Sequence, residues 1–573
     1  MTRNARAGAM DKQLKPNKQT KDRLEAIIKL PSSQSLSREQ RDLVWKFRYF
    51  LQADHRALNK FLRSVNWEQP TEEQHALALL NDWTPIEAED ALELLSPAFT
   101  HPDIRCYAVS RLFDAASPEQ VLLYLPQLVQ ALKYEPLPTT DAAIVEQIEV
   151  YCRFATLQTD DLMNSDHNFL FVNASSRYAT GYPKVANFLF WHLKVEAEAT
   201  RKTDEALSSF QNLCYFFPRN VQFVEDLKNL MNEAKSKHSR RDLRQSALCT
   251  LLANARHMKE LRGLHLPLDP SVRLASVMPD SAVLFNSAMM PVKLTFRTIT
   301  GSDANKEYTL IFKQGDDLRQ DQLVIQMFRL MDSLFKKDQL DLKLTPYAVL
   351  STGVNEGFVQ FVKARPLREI INTYKRYNTD SIKEAMKEAR PDANGPMGIE
   401  ADVVDNYVRS LAGYCVMCYV LGVGDRHLDN LLLCESGRLF HVDFGFILGR
   451  DPKPLPPPMK LTNEMLQAMG GIKSDHFRHF CMHCDSAYRI LRRHANVILN
   501  LFSLMLDAGI QNISEERDKA VFKVSEQRLR LDLSDEASSM HIFGVIETSM
   551  NFLSMNVGIV MDVLHELRQN LSW

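Results

Sequence analysis

The residues best suited to chemistry lie in GVGDRHLDNLLL, Gly422 to Leu433, and in HVDFG, His441 to Gly445. Asp425 precedes Asn430 by five positions, and Asp443 lies thirteen beyond Asn430. A carboxylate followed by an amide and a second carboxylate can face an attacking hydroxyl and ligate a hard, oxygen-seeking cation such as Mg²⁺ or Mn²⁺. The matching chemistry is phosphoryl transfer from ATP. In that reaction the protein acts mainly by positioning and by neutralising phosphate charge. The polar residues sit between the apolar runs YCVMCYVLG and LLL, which read as buried helix and strand. A carboxylate carried into such surroundings must be paired or metal-bound. A solvated strand-turn-strand with the same letters would carry no such demand.

Protein kinases use the order H-R-D-x-x-x-x-N before D-F-G. Here the triplet reads Asp425-Arg426-His427, with the Asp-to-Asn offset kept. His427 then stands where an imidazole can meet the γ-phosphate or the attacking hydroxyl. This order resembles the catalytic loop of the phosphatidylinositol 3-kinase and related-kinase superfamily. GRDPKPLPPPMKL, Gly449 to Leu461, resembles the activation loop of the class III, vacuolar-sorting type, and the resemblance covers nearly the whole chain after the first twenty residues. It implies a lipid kinase that transfers the ATP γ-phosphate to the 3-hydroxyl of phosphatidylinositol, in endosomal sorting and autophagy. It also implies catalytic roles for Asp425, Arg426, His427 and Lys313, with metal held by Asn430 and Asp443. How the base role divides between Asp425 and His427 stays open. A phosphatidylinositol 4-kinase or protein Ser/Thr kinase of the same superfamily is the nearest rival, and a catalytically dead helical scaffold the rival of another class.

Neither a Walker A sequence nor G-x-G-x-x-G is present. LFNSAMMPVKLTF, Leu284 to Phe296, resembles the superfamily's phosphate loop, with Ser287 and Ala288 letting backbone N–H groups approach the phosphates. YTLIFKQGDDLRQD places Lys313 near the end of a strand and Asp321 eight residues later. By resemblance Lys313 reaches the α- and β-phosphates and Asp321 is its acidic partner. Alone, the lysine would read as a stem covering apolar surface. The resemblance further places Phe285, Pro291, Tyr347, Gln360, Phe361 and Val362 in an adenine pocket floored by Leu432 and Val442. From residue type alone these agree only with an apolar pocket, or with core packing.

The elements that must position these residues are of two kinds, so the expected fold class is multidomain. An all-α solenoid of antiparallel helix pairs precedes an α+β, two-lobed, kinase-like domain. Residues 1–22 read as a flexible tail with AGAM as an expression scar, 23–251 as the helical accessory domain, and 252–264 as a connector. Residues 265–365 form the expected N-lobe, and 366–573 the C-lobe. Ser37 with Gln40, Thr71 with Gln74, Thr84 with Glu87 and Ser117 with Gln120 make capping-box patterns, and Pro85 and Pro118 suit first turns. VKLTFRTIT, EYTLIFKQG, TPYAVLST and EGFVQFVKA read as strands, and 318–335 as a helix.

The segment after DFG must hold the acceptor. Arg450, Lys453 and Lys460 are dispersed and Asp451 offsets one of them, which suits an inositol lipid bearing only its diester phosphate. Pro452, Pro454 and Pro456 to Pro458 stiffen the loop. At the C-terminus, Leu564, Leu567, Leu571 and Trp573 have the spacing of an amphipathic helix, which could lie on a membrane or pack on the lobe. HFRHFCMHC, His476 to Cys484, together with Cys415 and Cys418, has zinc-like letters. The latter two cysteines, however, lie in a run that reads as buried helix, where cysteine is a small hydrophobe.

Across 573 residues, 69 basic side chains face 71 acidic ones, so no global field recruits nucleic acid. The longest apolar run, around Leu411 to Val423, is shorter than the ~18 to 20 residues of a membrane span. Nine cysteines in so long a chain suit a reducing cytosol. The resemblance implies phosphatidylinositol membranes, a regulatory pseudokinase-like subunit and Beclin-type adaptors as partners. It implies a cytoplasmic protein, peripheral on endosomes and autophagosome precursors, and a membrane-binding β-sandwich ahead of the present sequence.

Overall fold

The computed structural model describes residues 9–31, 34–134, 183–200, 217–237, 240–261, 263–285, 287, 289–299 and 306–551. Chain packing divides the protein into two units, one drawn from Met1–Asp161, Ala495–Ala508 and Arg517–Val521. The other is drawn from Leu162–His494, Gly509–Glu516 and Phe522–Trp573.

The first unit is helical throughout its described part. Trp45 stacks on Phe61 at 6.0 Å and Phe61 on Trp83 at 4.9 Å, so three aromatic rings from separate segments fill one core. Two of the four expected capping boxes form. Ser37 Oγ accepts from the Gln40 N–H at 3.2 Å while Gln40 Oε1 accepts from the Ser37 N–H at 2.8 Å, and Ser117 with Gln120 repeats the pair. The other two do not. One helix starts at Pro70, whose missing N–H costs nothing in a first turn, leaving Thr71 inside it. The next starts at Ala88, leaving Thr84 and Pro85 outside, with the Thr84 N–H donating to Gln52 O.

The expected tail is helical from Lys18. Asn17 Oδ1 caps the helix by accepting from the Thr20 N–H at 2.8 Å, and Leu24, Ile27 and Ile28 bury its inner face. Asp11 pairs with the buried Arg48 at 2.9 Å. The Ala495–Leu504 helix, expected in the C-lobe, packs here against Ala88–Glu93 and Pro118–Ala131, because its apolar face, including Ile498 and Leu501, is completed by theirs.

The second unit carries a seven-stranded antiparallel sheet in the order β1-β2-β4-β5-β7-β6, with β3 beside β4. The strands are β1 (Leu264–Leu266), β2 (Asp269–Val277), β3 (Val283–Leu284), β4 (Val292–Thr298), β5 (Glu307–Gln314), β6 (Val349–Gly353) and β7 (Glu356–Gln360). The strand patterns read from sequence correspond to β4, β5, β6 and β7. The Arg319–Lys337 helix follows β5.

Three helices counted with the accessory domain, Pro183–Thr200, Phe217–Lys237 and Arg241–Asn254, pack in this unit instead. Phe223 meets Phe296 of β4 at 5.9 Å and Phe358 of β7 at 6.3 Å, so burial of aromatic surface, rather than helical texture, sets the division. A smaller sheet joins β8 (Arg365–Pro366), β9 (Leu431–Leu433) and β10 (Leu439–His441). Beneath it runs the Ala401–Leu421 helix, buried continuously from Ser410 to Leu421. The fold class therefore combines an all-α part with a kinase-like α+β part. Among the described residues no helix is long and apolar enough to cross a membrane.

Candidate active site

The Ala401–Leu421 helix ends at Gly422, in the left-handed region at φ +59°. A side chain there would meet the Gly449 nitrogen at 2.4 Å, so glycine lets the start of the activation segment lie against the helix end. The loop that follows is strained. Asp425 has φ +53° and Asp443 φ +62°, each costing a non-glycine residue about 1 to 3 kcal/mol unless surrounding contacts hold it. The contacts are to backbone atoms. The Asp425 N–H donates to Asp451 Oδ2 at 2.8 Å, and its carbonyl accepts from Asn430 Nδ2 at 3.2 Å, so neither tether uses the Asp425 carboxylate.

Arg426, expected among the catalytic residues, is bonded to backbone oxygens. Its guanidinium donates to Gly424 O at 2.8 Å, Val442 O at 2.9 Å and Asp443 O, and stacks over Phe444 at 5.3 Å. Those bonds fasten the loop at 424–427 to the DFG segment. His427 is different. Its Nε2 lies 3.9 Å from the Asp425 carboxylate and its Nδ1 3.6 Å from that of Asp429, and Nδ1 is buried without a hydrogen-bond partner.

Asp321 also departs from expectation. Lys313 makes its ion pair with Asp316, at 3.9 Å, while Asp321 Oδ1 accepts from the Phe444 N–H at 3.0 Å. Burial pushes the Asp321 carboxyl up, and Lys313 opposes that shift without touching it. Neighbouring Gln320 donates to Phe444 O at 2.7 Å, and Asn512 donates to Gln320 Oε1 at 2.9 Å and Gly445 O at 2.8 Å. The DFG backbone is thus gripped on both sides. The Asp443 carboxylate itself is exposed and makes no hydrogen bond or ion pair with a described residue. Asn430 is 6 % exposed and turns its amide nitrogen to Asp425 O, leaving its oxygen outside that bond. An unpaired carboxylate and an amide oxygen are the ligand types that a hard divalent cation prefers.

In the expected phosphate loop, the Phe285 N–H donates to Pro291 O at 2.9 Å and the Met290 N–H to Ser287 O at 3.1 Å, closing a tight turn with Ser287 exposed. Ala288 lies outside the described residues, as do Leu564, Leu567, Leu571 and Trp573 of the expected C-terminal helix. Lys313 faces Gly357 across β5 and β7 and is half-buried. Tyr347 is buried, its hydroxyl driven well up by burial and by Asp321. Gln360 accepts from the Ala348 N–H at 2.9 Å, so its side chain shapes the end of β7. Phe361 lies under Lys293 Nζ at 5.2 Å, and it and Val362 are half-buried in the link to β8. Leu432 and Val442 are half-buried below.

Residues 307–515 match the phosphatidylinositol 3- and 4-kinase family, and residues 12–225 the accessory domain of the phosphoinositide 3-kinase family. The chain is 57% identical over 602 residues to the phosphatidylinositol 3-kinase catalytic subunit type 3 of Caenorhabditis elegans, covering 98% of this chain and 66% of that protein. It is 41% identical to phosphatidylinositol 3-kinase pik3 of Schizosaccharomyces pombe, covering 99% of this chain and 69% of that one. With phosphatidylinositol 3-kinase VPS34 of Saccharomyces cerevisiae it shares 37% identity, over 99% and 67% of the two chains. This chain belongs to the class III phosphatidylinositol 3-kinases. It spans about two thirds of the length of these relatives.

In the activation segment the three expected cations differ in their partners. Arg450 is held by Glu515, by Glu516 at 3.5 Å and by Asn512 at 3.3 Å, so its charge is compensated. Asp451 binds the Asp425 and Lys453 N–H groups, both at 2.8 Å, and so pins the segment to the catalytic loop. Lys453 is exposed and Lys460 half-buried. Burial, then Lys453 and Arg368, push the Lys460 ammonium down, which brings Arg368 into the group.

Arg368 was not legible, since it sits at the start of a helix 85 positions before Lys453. Gln320 and Asn512 were missed for the same reason. Asp321, one position from Gln320, was the only signal in that neighbourhood.

The cysteines of the zinc-like letters are buried, with Cys418 Sγ 3.2 Å from His441 Nδ1 and its thiol pushed up to about 12 by burial. Among the described residues no group of three or more His, Cys, Asp or Glu side chains could hold a metal.

Proposed function

We propose that this chain transfers the γ-phosphoryl group of ATP to the 3-hydroxyl of phosphatidylinositol. One observation carries the reading. Asp425, His427, Asn430 and Asp443 are fixed by backbone bonds and neighbouring side chains, while their carboxylates, the Asn430 amide oxygen and the His427 Nδ1 keep no partner at hydrogen-bond distance among the described residues. Groups held in place but uncommitted suit a reaction that depends on positioning and on charge stabilisation.

Asn430 and Asp443 would hold Mg²⁺ or Mn²⁺, which supplies neutralising charge at the phosphates. Lys313 would meet the α- and β-phosphates, and the phosphate loop around Ser287 would offer backbone N–H groups. Phe285, Pro291, Tyr347, Phe361 and Val362 would enclose the adenine above Leu432 and Val442. Asp425 and His427 would orient the inositol hydroxyl and take its proton. Lys453 and Lys460 offer charge enough for one diester phosphate, with Arg450 already neutralised, and that favours the lipid without further phosphates. The proposal extends to a peripheral site of action on endosomes and autophagosome precursors, with a pseudokinase-like subunit and Beclin-type adaptors as partners.

The test offers the protein phosphatidylinositol, its 4-phosphate and 4,5-bisphosphate, and a Ser/Thr peptide, with positional analysis of products. Phosphatidylinositol 3-phosphate should dominate. Phosphate on the 4-hydroxyl, or preference for the peptide, would overturn the assignment.

A further inference from the structure

The activation segment carries the most exposed large hydrophobic side chain among the described residues. Leu455 is 80% exposed, against 52% for the next, Phe522. An isolated exposed leucine is ordinary on a protein surface. This one differs in how it is mounted. Asp451 holds one end of the segment to the catalytic loop through the Asp425 and Lys453 N–H groups. At the other end Met459 is 3 % exposed, and its N–H donates to Ser549 Oγ at 2.9 Å. Between these anchors Leu455 is flanked by Pro454 on one side and Pro456, Pro457 and Pro458 on the other. Fixed φ angles at those prolines remove much of the chain entropy that a protruding loop would lose on docking.

The charge around the tip is one-sided. Lys453 is exposed and makes no ion pair with a described residue, and Lys460 and Arg368 lie near enough to act on one another electrostatically. Asp451 is taken by backbone N–H groups and Asp429 sits 3.4 Å from Arg368, while Glu464 acts on Lys460 more weakly than Lys453 and Arg368 do. A rigid apolar tip with lysines behind it matches a bilayer interface, with leucine among the acyl chains and ammonium groups at phosphate depth. A protein groove could take the leucine, but a lipid surface accounts for the lysines and for the position beside the acceptor site as well.

We propose that Leu455 inserts into the bilayer as a wedge that seats the activation segment at headgroup depth, with Lys453 and Lys460 against the lipid phosphates. The inference rests on the lipid-kinase reading for its substrate. Removing a leucine's transfer from water to hydrocarbon should weaken docking by about ten- to a hundredfold.

The test compares full-length wild type with Leu455→Asp on two forms of phosphatidylinositol. One is presented in vesicles with anionic lipid, the other as a short-chain analogue dispersed below its micellar threshold. The variant should lose about tenfold or more in turnover on vesicles and keep wild-type kcat/KM on the monomer. Leu455→Trp should show a blue-shifted emission, relative to wild type, when vesicles are added. Equal losses on vesicle and monomer would place Leu455 in substrate contact and overturn the wedge, as would no loss on either. If wild type phosphorylates neither form, the lipid-kinase reading fails, while the Leu455→Trp emission still reports whether the tip enters a bilayer. An unshifted emission would then overturn the wedge on its own.

Discussion

The helical unit buries charged side chains and the catalytic loop leaves its own partly open to solvent, and they hold them in opposite ways. In the helical unit Arg105 is 2% exposed and donates to Leu95 O at 2.9 Å, Phe99 O at 3.2 Å and Ala131 O at 3.0 Å. Glu93 is likewise occupied, by Arg63 at 2.8 Å and Asn59 at 2.9 Å. These charges fasten helices together and have their chemistry filled. At the catalytic loop Arg426 does the same work on three carbonyls. Beside it, though, Asp425 is tethered by its backbone, Asp443 by the grip on Phe444 and Gly445, and His427 Nδ1 has no partner. A scaffold charge is held through its functional atoms. A chemical one is held through everything else.

The contrast breaks most visibly at Asp443. Asp443→Asn keeps size and backbone but removes the carboxylate charge proposed to hold the cation, so turnover should fall about a thousandfold or more, with the urea midpoint unchanged. A variant with substantial activity would remove Asp443 from the site, and one that unfolds would make it a scaffold charge.

Arg105→Met should show the reverse. Leaving three buried carbonyls without their donor should destabilise the chain by about 3 kcal/mol in urea unfolding, while ATP turnover per folded molecule stays at the wild-type level.

The smallest effect concerns Asp90. Burial, reinforced by Glu93, Glu87 and Glu89, pushes its carboxyl up to about 7. The folded chain then keeps a proton that the unfolded chain releases near 4, so this group's contribution to stability is whole below about 4 and is lost as pH rises to about 7. Asp90→Asn should flatten that decline, which melting temperatures between pH 4.5 and 7.5 would register as a reduced slope. An unchanged slope would assign the pH dependence elsewhere.

How much of this was legible follows from the range of each interaction. Ser37 with Gln40 and Ser117 with Gln120 are local pairs, and both form as read. Thr71 and Thr84 had the same letters but lost to Pro70 and to the bond that the Thr84 N–H donates to Gln52 O, 32 positions earlier. The strands β4 to β7 were visible in alternation of β-branched and aromatic residues, but the helices Pro183–Thr200 and Phe217–Lys237 carried no mark of which unit would bury them. The partners of Arg450, Glu515 and Glu516, lie 65 and 66 positions on and are invisible to a count of neighbouring charges. Asp321 looked like the partner of Lys313 and instead holds an N–H group 123 positions away.

The sequence by itself determined the chemistry. The types and offsets of Asp425, Asn430 and Asp443 suit a hydroxyl, a cation and a phosphate, and the proline-rich segment after DFG carries the family resemblance. Only the tertiary structure decided which charges remain available for that chemistry. Coulomb pairing and hydrogen bonding fall off within a few ångströms, and those distances are set by packing between residues tens to hundreds of positions apart. That is why Arg426 and Arg450 are filled, why Lys453 and Asp443 are open, and why Leu455 stands clear of the protein that carries it.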